Sequence, residues 1–340
     1  MVSLKNIAAA CGVSVATVSK ALNDQRDIGA KTKEQIRQTA RSMGYFPNYS
    51  ARTLKTNRSY NIGVLFADAA RSGLMHDFFS AILDSFKRTV EDRGYDITFV
   101  NASRGGEHRM SYYERCRNRC FDGVVIACVE FLDDEVEELV NSDIPLVTID
   151  QVFQNRTSII SDNASGMRDL LEYIYSLGHR RIAYIHGADS AVTKARLEAF
   201  HETATRLKLK TYPEYIYEAE YRDTAAAEKL TCRLLELEAP PTCILYPDDF
   251  TSFGGMNAIR QRGLSIPKDI SIAGYDGLRL GKHLDPPLTT LVQDTERMGA
   301  AAGEKLLELI ENPDNTHVEQ IIVPGRVYPG GSVERIDPEQ

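Results

Sequence analysis

Two patterns of apolar and polar residues divide the chain near residue 60. Before this point, apolar residues recur at helical spacing in three short stretches, 4–10, 15–22 and 31–43. After it, short apolar runs alternate with longer helical patterns. The change predicts an α/β protein in two parts, an all-α head over residues 1–60 and a larger domain over residues 61–340.

The larger domain is predicted to contain parallel sheets, because strands that alternate with helices imply right-handed crossovers. The candidate strands are 62–66, 97–100, 123–127, 145–149, 182–185, 215–219, 242–245 and 270–273. The candidate helices are 78–91, 110–118, 134–140, 166–176, 192–207, 224–237 and 251–262. Two such sheets with a cleft between them would place a ligand at the carboxyl ends of their strands.

The head has the pattern of a helix-turn-helix motif. Ser3 and Ser14 are candidate N-caps of its first two helices, and Gly12 permits the tight turn between them. Val18, Ala21 and Leu22 of the second helix are expected in the core of the head, with Ile36, Ala40 and Met43 of the third helix. The second helix would then expose Val15, Ala16, Thr17, Ser19 and Lys20.

That exposed surface suits the major groove of DNA. Small residues allow close approach, Lys20 can reach a guanine edge or a phosphate, and the Ala16 and Thr17 methyls can contact thymine. An ordinary three-helix cap is the alternative. Charge favours the DNA interpretation, because residues 1–60 contain ten Lys/Arg and three acids in a chain of net charge −8. A merely solvated basic face remains the alternative explanation of that excess.

A short segment after Pro47 predicts a hinge helix over about residues 50–56. Its Leu54 lies between Arg52 and Lys55. A helix this short is marginal in water, so a partner such as DNA is needed to order it. An apolar side chain beside cations suits a wedge inserted from the minor groove. A plain interdomain linker is the alternative, but it would not need Leu54.

Several classes of function find no support in the sequence. No apolar run approaches the ~20 residues of a membrane span, and the N-terminal sequence lacks a signal-peptide pattern, so we expect a cytoplasmic protein with no membrane partner. The six cysteines include no CxxC pair, so we expect reduced thiols and no metal site. The sequence also lacks GxGxxG, GxxxxGK[ST], GxSxG and HExxH motifs, and we therefore expect neither a catalytic site nor a cofactor.

Three motifs of the head, ATVSKALN at 16–23, GYFPN at 44–48 and ARTLK at 51–55, resemble the bacterial lactose/galactose-repressor (LacI/GalR) family. The resemblance continues in SLGHRRIAYI at 176–185, IAGYDG at 272–277 and PLTTLVQD at 287–294. It implies a periplasmic-binding-protein-like (type I) effector domain with two parallel-sheet lobes. We expect lobe 1 over about 61–161 and 290–318, and lobe 2 over about 162–289 and 319–340.

The resemblance also implies a homodimer that binds a pseudo-palindromic operator in double-stranded DNA. Residues 15–20 would enter the major groove, and Leu54 of paired hinge helices would enter the central minor groove. No heptad run at the C-terminus is long enough for a tetramerising coiled coil, which favours a dimer. The residues expected at the DNA are Ser3, Leu4, Ser14, Val15, Ala16, Thr17, Ser19, Lys20, Asn23, Tyr45, Asn48, Ala51, Leu54 and Lys55.

The effector site follows from matched positions in the larger domain. Arg196 stands where the family has its ligand arginine, and Asp276, in GYDG, resembles the family's ligand aspartate. A guanidinium fork can donate to hydroxyls or carboxylates, and a carboxylate can accept from two hydroxyls. The other candidates, which include the aromatic pair that opens the first helix of the domain, are Phe78, Phe79, Asp150, Ser190, Val192, Tyr221, Asp248 and Gln293. Asp248 stands where relatives often have Asn, which puts its role in doubt, and its neighbour Asp249 could instead cap the following helix.

Three aspartates with one arginine favour a neutral polyol, because a phosphate would be repelled at close range. We therefore expect a sugar or oligosaccharide effector, and a purine or nucleoside corepressor is the alternative. Two other classes are a sugar-binding transport or chemoreceptor protein, which a cleavable signal would favour, and an enzyme with a DNA-binding head, which ligand turnover would favour.

Overall fold

A computed structural model of the protein describes residues 2–45, 58–67, 73–100, 110–131 and 133–337. The chain divides into two compact units, Met1–Ser59 and Tyr60–Gln340. Among the described residues, no helix combines the length and the apolar character needed to cross a bilayer.

The first unit contains three helices, α1 (Leu4–Cys11), α2 (Val15–Leu22) and α3 (Ala30–Ser42). They enclose a small core whose members include the fully buried Ile7, Val18, Ala21 and Ile36, together with Ala8 and Ala40. Leu22 and Met43 pack against it as partly buried residues. The core residues predicted from helical spacing are therefore confirmed.

The ends of the first two helices form as predicted. Ser3 and Asn6 make a reciprocal capping box at the start of α1. Gly12 ends this helix with a φ of 64°, a left-handed conformation that glycine adopts without strain. Ser14 Oγ then accepts a hydrogen bond of 3.0 Å from the Thr17 N–H at the start of α2.

The second unit is built on two six-stranded sheets. The first has the strand order β11-β5-β4-β3-β1-β2 and is parallel throughout. Its strands are β1 (Asn61–Phe66), β2 (Asp96–Phe99), β3 (Gly123–Cys128), β4 (Leu146–Ile149), β5 (Thr157–Ser161) and β11 (Gln320–Val323).

The second sheet repeats this arrangement in the order β12-β10-β9-β8-β6-β7, with only β12 antiparallel. Its strands are β6 (Ile182–His186), β7 (Ile216–Glu218), β8 (Cys243–Leu245), β9 (Ser271–Asp276), β10 (Thr289–Val292) and β12 (Arg326–Tyr328). In each sheet the strand order reverses beside the first strand, the position at which doubly wound folds bind ligands.

Helices cover these sheets, and their apolar faces fill the cores. They are α4 (Asp77–Glu91), α5 (Tyr112–Asn118), α6 (Asp134–Val140), α7 (Asn163–Ser176), α8 (Ala191–Arg206), α9 (Thr224–Leu235), α10 (Asp249–Gln261) and α11 (Thr295–Glu311). The first lobe has its core around β1, β3 and β4, with α4 and α11 packed together over it. The second lobe has separate cores over α7 with α8 and over α9 with α10.

The chain passes between the lobes at three points. The first follows Ser161, where β5 ends. β10 stays in the second sheet to Val292, and β11 stays in the first sheet to Val323. These two strands extend past the approximate crossover positions at 290 and 319, which stay predictions, and both strands pair through contacts distant in sequence.

Candidate functional site

The N-terminal part of α2 is one of the accessible surfaces of the first unit. Val15 is 41% exposed, Ala16 and Lys20 are exposed, and Thr17 and Ser19 are partly buried. Val18, one position before Ser19, is fully buried. Helical geometry thus separates a core face from a face of small residues and one cation.

Ion pairs surround that face. Lys20 Nζ contacts Asp27 Oδ2, and Asp24 Oδ1 lies 3.0 Å from Lys33 Nζ and 2.9 Å from Arg37 Nη2. The hydrogen bond from Lys20 lowers the pKa of Asp27, and the hydrogen bond and charge of Lys33 lower the pKa of Asp24. Both carboxylates therefore stay ionised, and one of the three donors of the Lys20 ammonium is paired with Asp27.

Other head residues singled out in the sequence have structural contacts. Leu4 and Tyr45 are partly buried against the core of the head, Asn23 Nδ2 donates to Ser19 O, and Ser3 caps α1. Asn48, Ala51, Leu54, Lys55 and the expected hinge helix lie outside the described residues.

In the second unit, the predicted effector residues gather at the carboxyl ends of strands. Asp150 follows β4, Tyr221 follows β7, Asp248 follows β8 and Asp276 ends β9. Ser190 follows β6 as the N-cap of α8 and accepts from the Thr193 N–H at 3.1 Å. Parallel strands explain this convergence, because their carboxyl ends share one edge of each sheet.

Arg196 is the buried cation of this region, with only 3% of its surface exposed. Its Nε donates to Asn163 Oδ1 at 2.8 Å, and its Nη1 donates to the Pro247 carbonyl at 3.1 Å. The guanidinium also lies 3.6 Å from the centre of the Tyr275 ring. Burial alone would lower its pKa, but Tyr275, Tyr221 and Asp276 raise it above the ordinary value, so the group stays charged.

Two aspartates lie within the electrostatic influence of Arg196. Burial raises the pKa of Asp150, and the Ser161 N–H, 2.9 Å from its Oδ1, opposes that rise. Burial also raises the pKa of Asp276 to about 7, while Arg196 and a hydrogen bond from Gln293 act in the opposite direction. Asp276 therefore titrates near neutral pH, and its charge depends on what binds beside it.

Gln293 joins the two lobes through its side-chain amide. Its Nε2 donates to Asp276 Oδ1 at 2.6 Å, and its Oε1 accepts from the Ser161 hydroxyl. Gln293 and Ser161 are each 5% exposed. Both lie where the chain crosses between sheets, so this buried link connects the first lobe to the second.

The adjacent acids Asp248 and Asp249 have the reverse of the roles considered from the sequence. Asp248, not Asp249, caps α10, and it accepts from the Thr251 N–H at 2.7 Å and the Arg222 N–H at 2.9 Å. Asp249 is fully buried in the first turn and accepts from Thr290 Oγ1 and the Leu278 N–H, each at 2.6 Å. Burial raises the pKa of Asp249 well above its ordinary value. The sequence misjudged the cap because the start of α10 was placed two residues late.

The aromatic candidates Phe78 and Phe79 differ in burial, and both contact the core of the first lobe. Phe78 is 8% exposed and belongs to the core of the first lobe, whereas Phe79 is partly exposed and packs against Phe66 with ring centroids 5.6 Å apart. Tyr221 donates to or accepts from Thr193 Oγ1 at 2.8 Å. A Cβ at Gly187 would lie 2.2 Å from the Tyr221 ring, so glycine is needed there for this packing. Val192 is partly buried in the first turn of α8.

A cavity of about 890 Å³ borders this region. Among the predicted effector residues, Phe78, Asp276 and Gln293 line it, together with the beginnings of α4 and α11 and the segment after β9. Arg196, Asp150 and Tyr221 do not line it, so this space is adjacent to the polar cluster and not identical with it.

One further contact spans the lobes. Arg222 Nη1 lies 3.3 Å from Asp77 Oδ2, and its Nη2 donates to the Met75 carbonyl at 3.2 Å. The guanidinium also lies 4.2 Å from the Phe250 ring centre. Arg222 has a φ of 64°, which directs its N–H toward the Asp248 carboxylate.

Sequence reasoning missed four residues of this cluster: Ser161, Asn163, Arg222 and Tyr275. Tyr275 had a usable signal, because it directly precedes Asp276 in a recognised motif. The other three act through partners distant in sequence, and local patterns do not contain that information.

Both units of the chain resemble known protein families. Residues 3–48 match the lacI family of bacterial regulatory proteins, and residues 171–333 match a periplasmic binding protein-like domain. The HTH-type transcriptional repressor PurR of Pasteurella multocida (strain Pm70) is 30% identical over 314 residues, which cover 91% of this chain and 92% of that protein. The probable HTH-type transcriptional repressor ExuR of Bacillus subtilis (strain 168) is 29% identical over 340 residues, 99% of each chain.

A solved structure supports the same family assignment. A lac repressor dimer bound to operator and the anti-inducer ONPF has a TM-score of 0.82 and 27% identity, over 98% of this chain and 99% of that one. The chain therefore belongs to the lacI family of bacterial regulatory proteins. It is a DNA-binding transcriptional repressor with an effector-binding domain, and its relatives are regulators and not enzymes.

Proposed function

We propose that this repressor acts as a cytoplasmic homodimer, binds a pseudo-palindromic operator through α2, and is released by a sugar bound between its lobes. Support for the DNA contact comes from the exposed face of α2, with small residues at its beginning and Lys20 in its last turn. The excess of cations over residues 1–60 adds a sequence-independent attraction to phosphates.

The observation that supports a sugar most directly is the arrangement of Asp150, Asp276 and Arg196. Each aspartate has one oxygen engaged by a protein donor, and its Oδ2 accepts no hydrogen bond from the described residues. Arg196 Nη2 likewise has no acceptor within the described part of the chain. Two carboxylate acceptors beside one guanidinium donor match the hydroxyls of a polyol. The partly exposed ring of Phe79 offers an apolar face for a sugar ring.

We infer that the effector acts by shifting the balance between two arrangements of the lobes. It need only bind them with different affinities, with a coupling of about 1–3 kcal/mol. In the repressing arrangement, the paired hinge segments would insert Leu54 into the minor groove, and effector binding would change their spacing. The links from Ser161 to Gln293 and from Arg222 to Asp77 are the described contacts that such a shift would alter.

A purine or nucleoside corepressor is the second candidate, because a relative that covers most of the chain is a PurR repressor. Isothermal titration of the full-length protein against neutral sugars and against nucleobases and nucleosides separates the two. We expect saturable binding of a neutral sugar, with the loss of that binding in Arg196→Ala. Binding of nucleobases alone would refute the sugar and favour the second candidate.

A further inference from the structure

Ser161 occupies a central position between the two lobes. It is the last residue of β5 in the first sheet, and the chain crosses from it to α7 of the second lobe. Only 5% of its surface is exposed. All three of its polar groups are used, and each leads to a charged group of the candidate effector site.

The backbone of Ser161 supports one charge from each lobe. Its N–H donates to Asp150 Oδ1 at 2.9 Å. Its carbonyl accepts from Asn163 Nδ2 at 3.1 Å, which leaves Asn163 Oδ1 to accept from Arg196 Nε at 2.8 Å. The orientation of the Asn163 amide is thus fixed from one side by a backbone carbonyl and from the other by a guanidinium.

The hydroxyl of Ser161 reaches the third charge. It donates to Gln293 Oε1, and Gln293 Nε2 donates to Asp276 Oδ1 at 2.6 Å. A hydroxyl has one proton to donate, and the alternative acceptor, Met298 Sδ at 3.3 Å, is a weak one. Because the hydroxyl donates to the amide oxygen, the amide NH₂ faces Asp276. Without the hydroxyl, the amide loses the partner that fixes its oxygen, and its NH₂ is held less firmly against the carboxylate.

We propose that Ser161 is a positioning residue, whose hydroxyl orients the Gln293 amide so that its NH₂ donates to Asp276 Oδ1 and favours the ionised carboxylate, with Oδ2 available to an effector. The importance of Ser161 for regulation rests on the proposed effector site. The hydrogen bonds of Ser161 do not depend on that site. The proposal assigns to Ser161 a role beyond the packing of a buried strand end.

Other charged and titratable groups surround Asp276 and also affect its pKa. Arg196 of α8 favours its ionised form, and Asp248 and Asp150 oppose it. Its charge acts in turn on Asp249, Tyr221 and Tyr275. A change at Ser161 leaves these neighbours in place, so only the orientation of the Gln293 amide is expected to alter.

The test is the titration of Asp276 in the full-length protein, followed by the ¹³C signal of its carboxyl carbon after labelling of aspartate. Asp276→Asn assigns the signal. We expect a midpoint of about 7 in the unmodified protein. Ser161→Ala should raise the midpoint by about one pH unit, because a hydrogen bond to the ionised form is lost.

Ser158→Ala is the matched control. Ser158 lies on the same strand, is fully buried, and its hydroxyl has no hydrogen-bond partner within the described residues. Its removal should leave the midpoint of Asp276 unchanged. Ser161→Cys keeps the shape of the side chain with a weaker donor and should give an intermediate midpoint. It serves as the deciding variant if Ser161→Ala does not fold.

The same midpoint in Ser161→Ala or Ser161→Cys as in the unmodified protein would overturn the proposal, as would an equal shift in Ser158→Ala. The titration uses protons as its only probe. If Ser161→Ala shifts the midpoint of Asp276 but the unmodified protein binds no sugar, the role of Ser161 stands and the proposed effector is refuted.

Discussion

The α2 face and the junction of the two lobes hold their polar groups in opposite ways. Lys20 and Asp27 of the head are about half exposed and paired with each other. Arg196, Ser161 and Gln293 are at most 5% exposed and are joined in a continuous set of hydrogen bonds. In the α2 face, an exposed side chain can exchange one charged partner for another at a low cost in free energy. At the junction of the lobes, removal of one side chain leaves its buried hydrogen-bond partner unsatisfied.

The largest effect of this contrast is expected at Arg196. Arg196→Ala should weaken binding of the sugar found by titration by at least about a hundredfold, because a buried donor to ligand and protein is lost. Arg168→Ala changes the net charge equally on the surface of the same lobe, where Arg168 pairs with Asp169, and should leave the titration unchanged. A normal sugar titration for Arg196→Ala would show that the effector binds elsewhere.

The pH dependence of stability should differ between the unmodified protein and Asp276→Asn. The pKa of Asp276 is raised, so its contribution to stability is fully present below the pKa of an unfolded aspartate, near 4, and is lost as the pH rises through about 7. Between pH 5.5 and 7.5 this loss is about 2 kcal/mol. Urea denaturation at both pH values measures it, and parallel profiles for the two proteins would contradict a neutral Asp276 at the lower pH.

A smaller effect is expected on the exposed face of α2. Lys20→Ala should lower operator affinity about tenfold and reduce the dependence of log affinity on log salt by about one. Fluorescence anisotropy with a labelled operator, at several salt concentrations, measures both quantities. Arg93→Ala removes an equal charge from a surface pair with Glu311 and serves as the control. An equal loss of operator affinity in the two variants would show that Lys20 contributes only through the net charge of the protein.

The smallest effect is expected at the contact between the lobes in which one partner, Asp77, is exposed. Asp77→Asn should lower the free energy of unfolding by less than about 1 kcal/mol, because Asp77 is half exposed and its pair with Arg222 is screened by water. Asp84→Asn, which disturbs a pair within α4, provides the comparison. A loss of several kcal/mol in Asp77→Asn alone would show that this contact, rather than the buried junction, holds the lobes together.

Much of the fold could be predicted from apolar spacing. The three head helices and all eight predicted strands, which correspond to β1–β4 and β6–β9, occur within three residues of their expected bounds, because each buries a periodic face. β5, β10, β11, β12 and α11 were not predicted as elements. The sequence of the edge strand β11 does not alternate between apolar and polar residues, because Ile322 lies on its exposed side and is 59% exposed. Its pairing with β5 depends on residues far away in sequence.

The candidate site was predictable only in part, and for a physical reason. Arg196, Asp150 and Asp276 could be named because they follow strands or stand in recognisable motifs. What orients them could not, since the links from Ser161 to Gln293 and from Asn163 to Arg196 span 132 and 33 residues. The error at Asp248 and Asp249 has a different, local origin, because a shift of the helix start by two residues exchanges a cap for a buried side chain.

The most direct test of the account measures the affinity of the full-length protein for a natural operator fragment, recovered by genome-wide footprinting, with and without the sugar. We expect binding at least about a thousandfold tighter than to a random duplex, and a fall of about 5- to 150-fold when the sugar is added. Arg196→Ala should bind the fragment equally well and ignore the sugar. If the unmodified protein did not distinguish the natural fragment from the random duplex in either condition, ligand-controlled DNA binding would be the wrong explanation of this molecule.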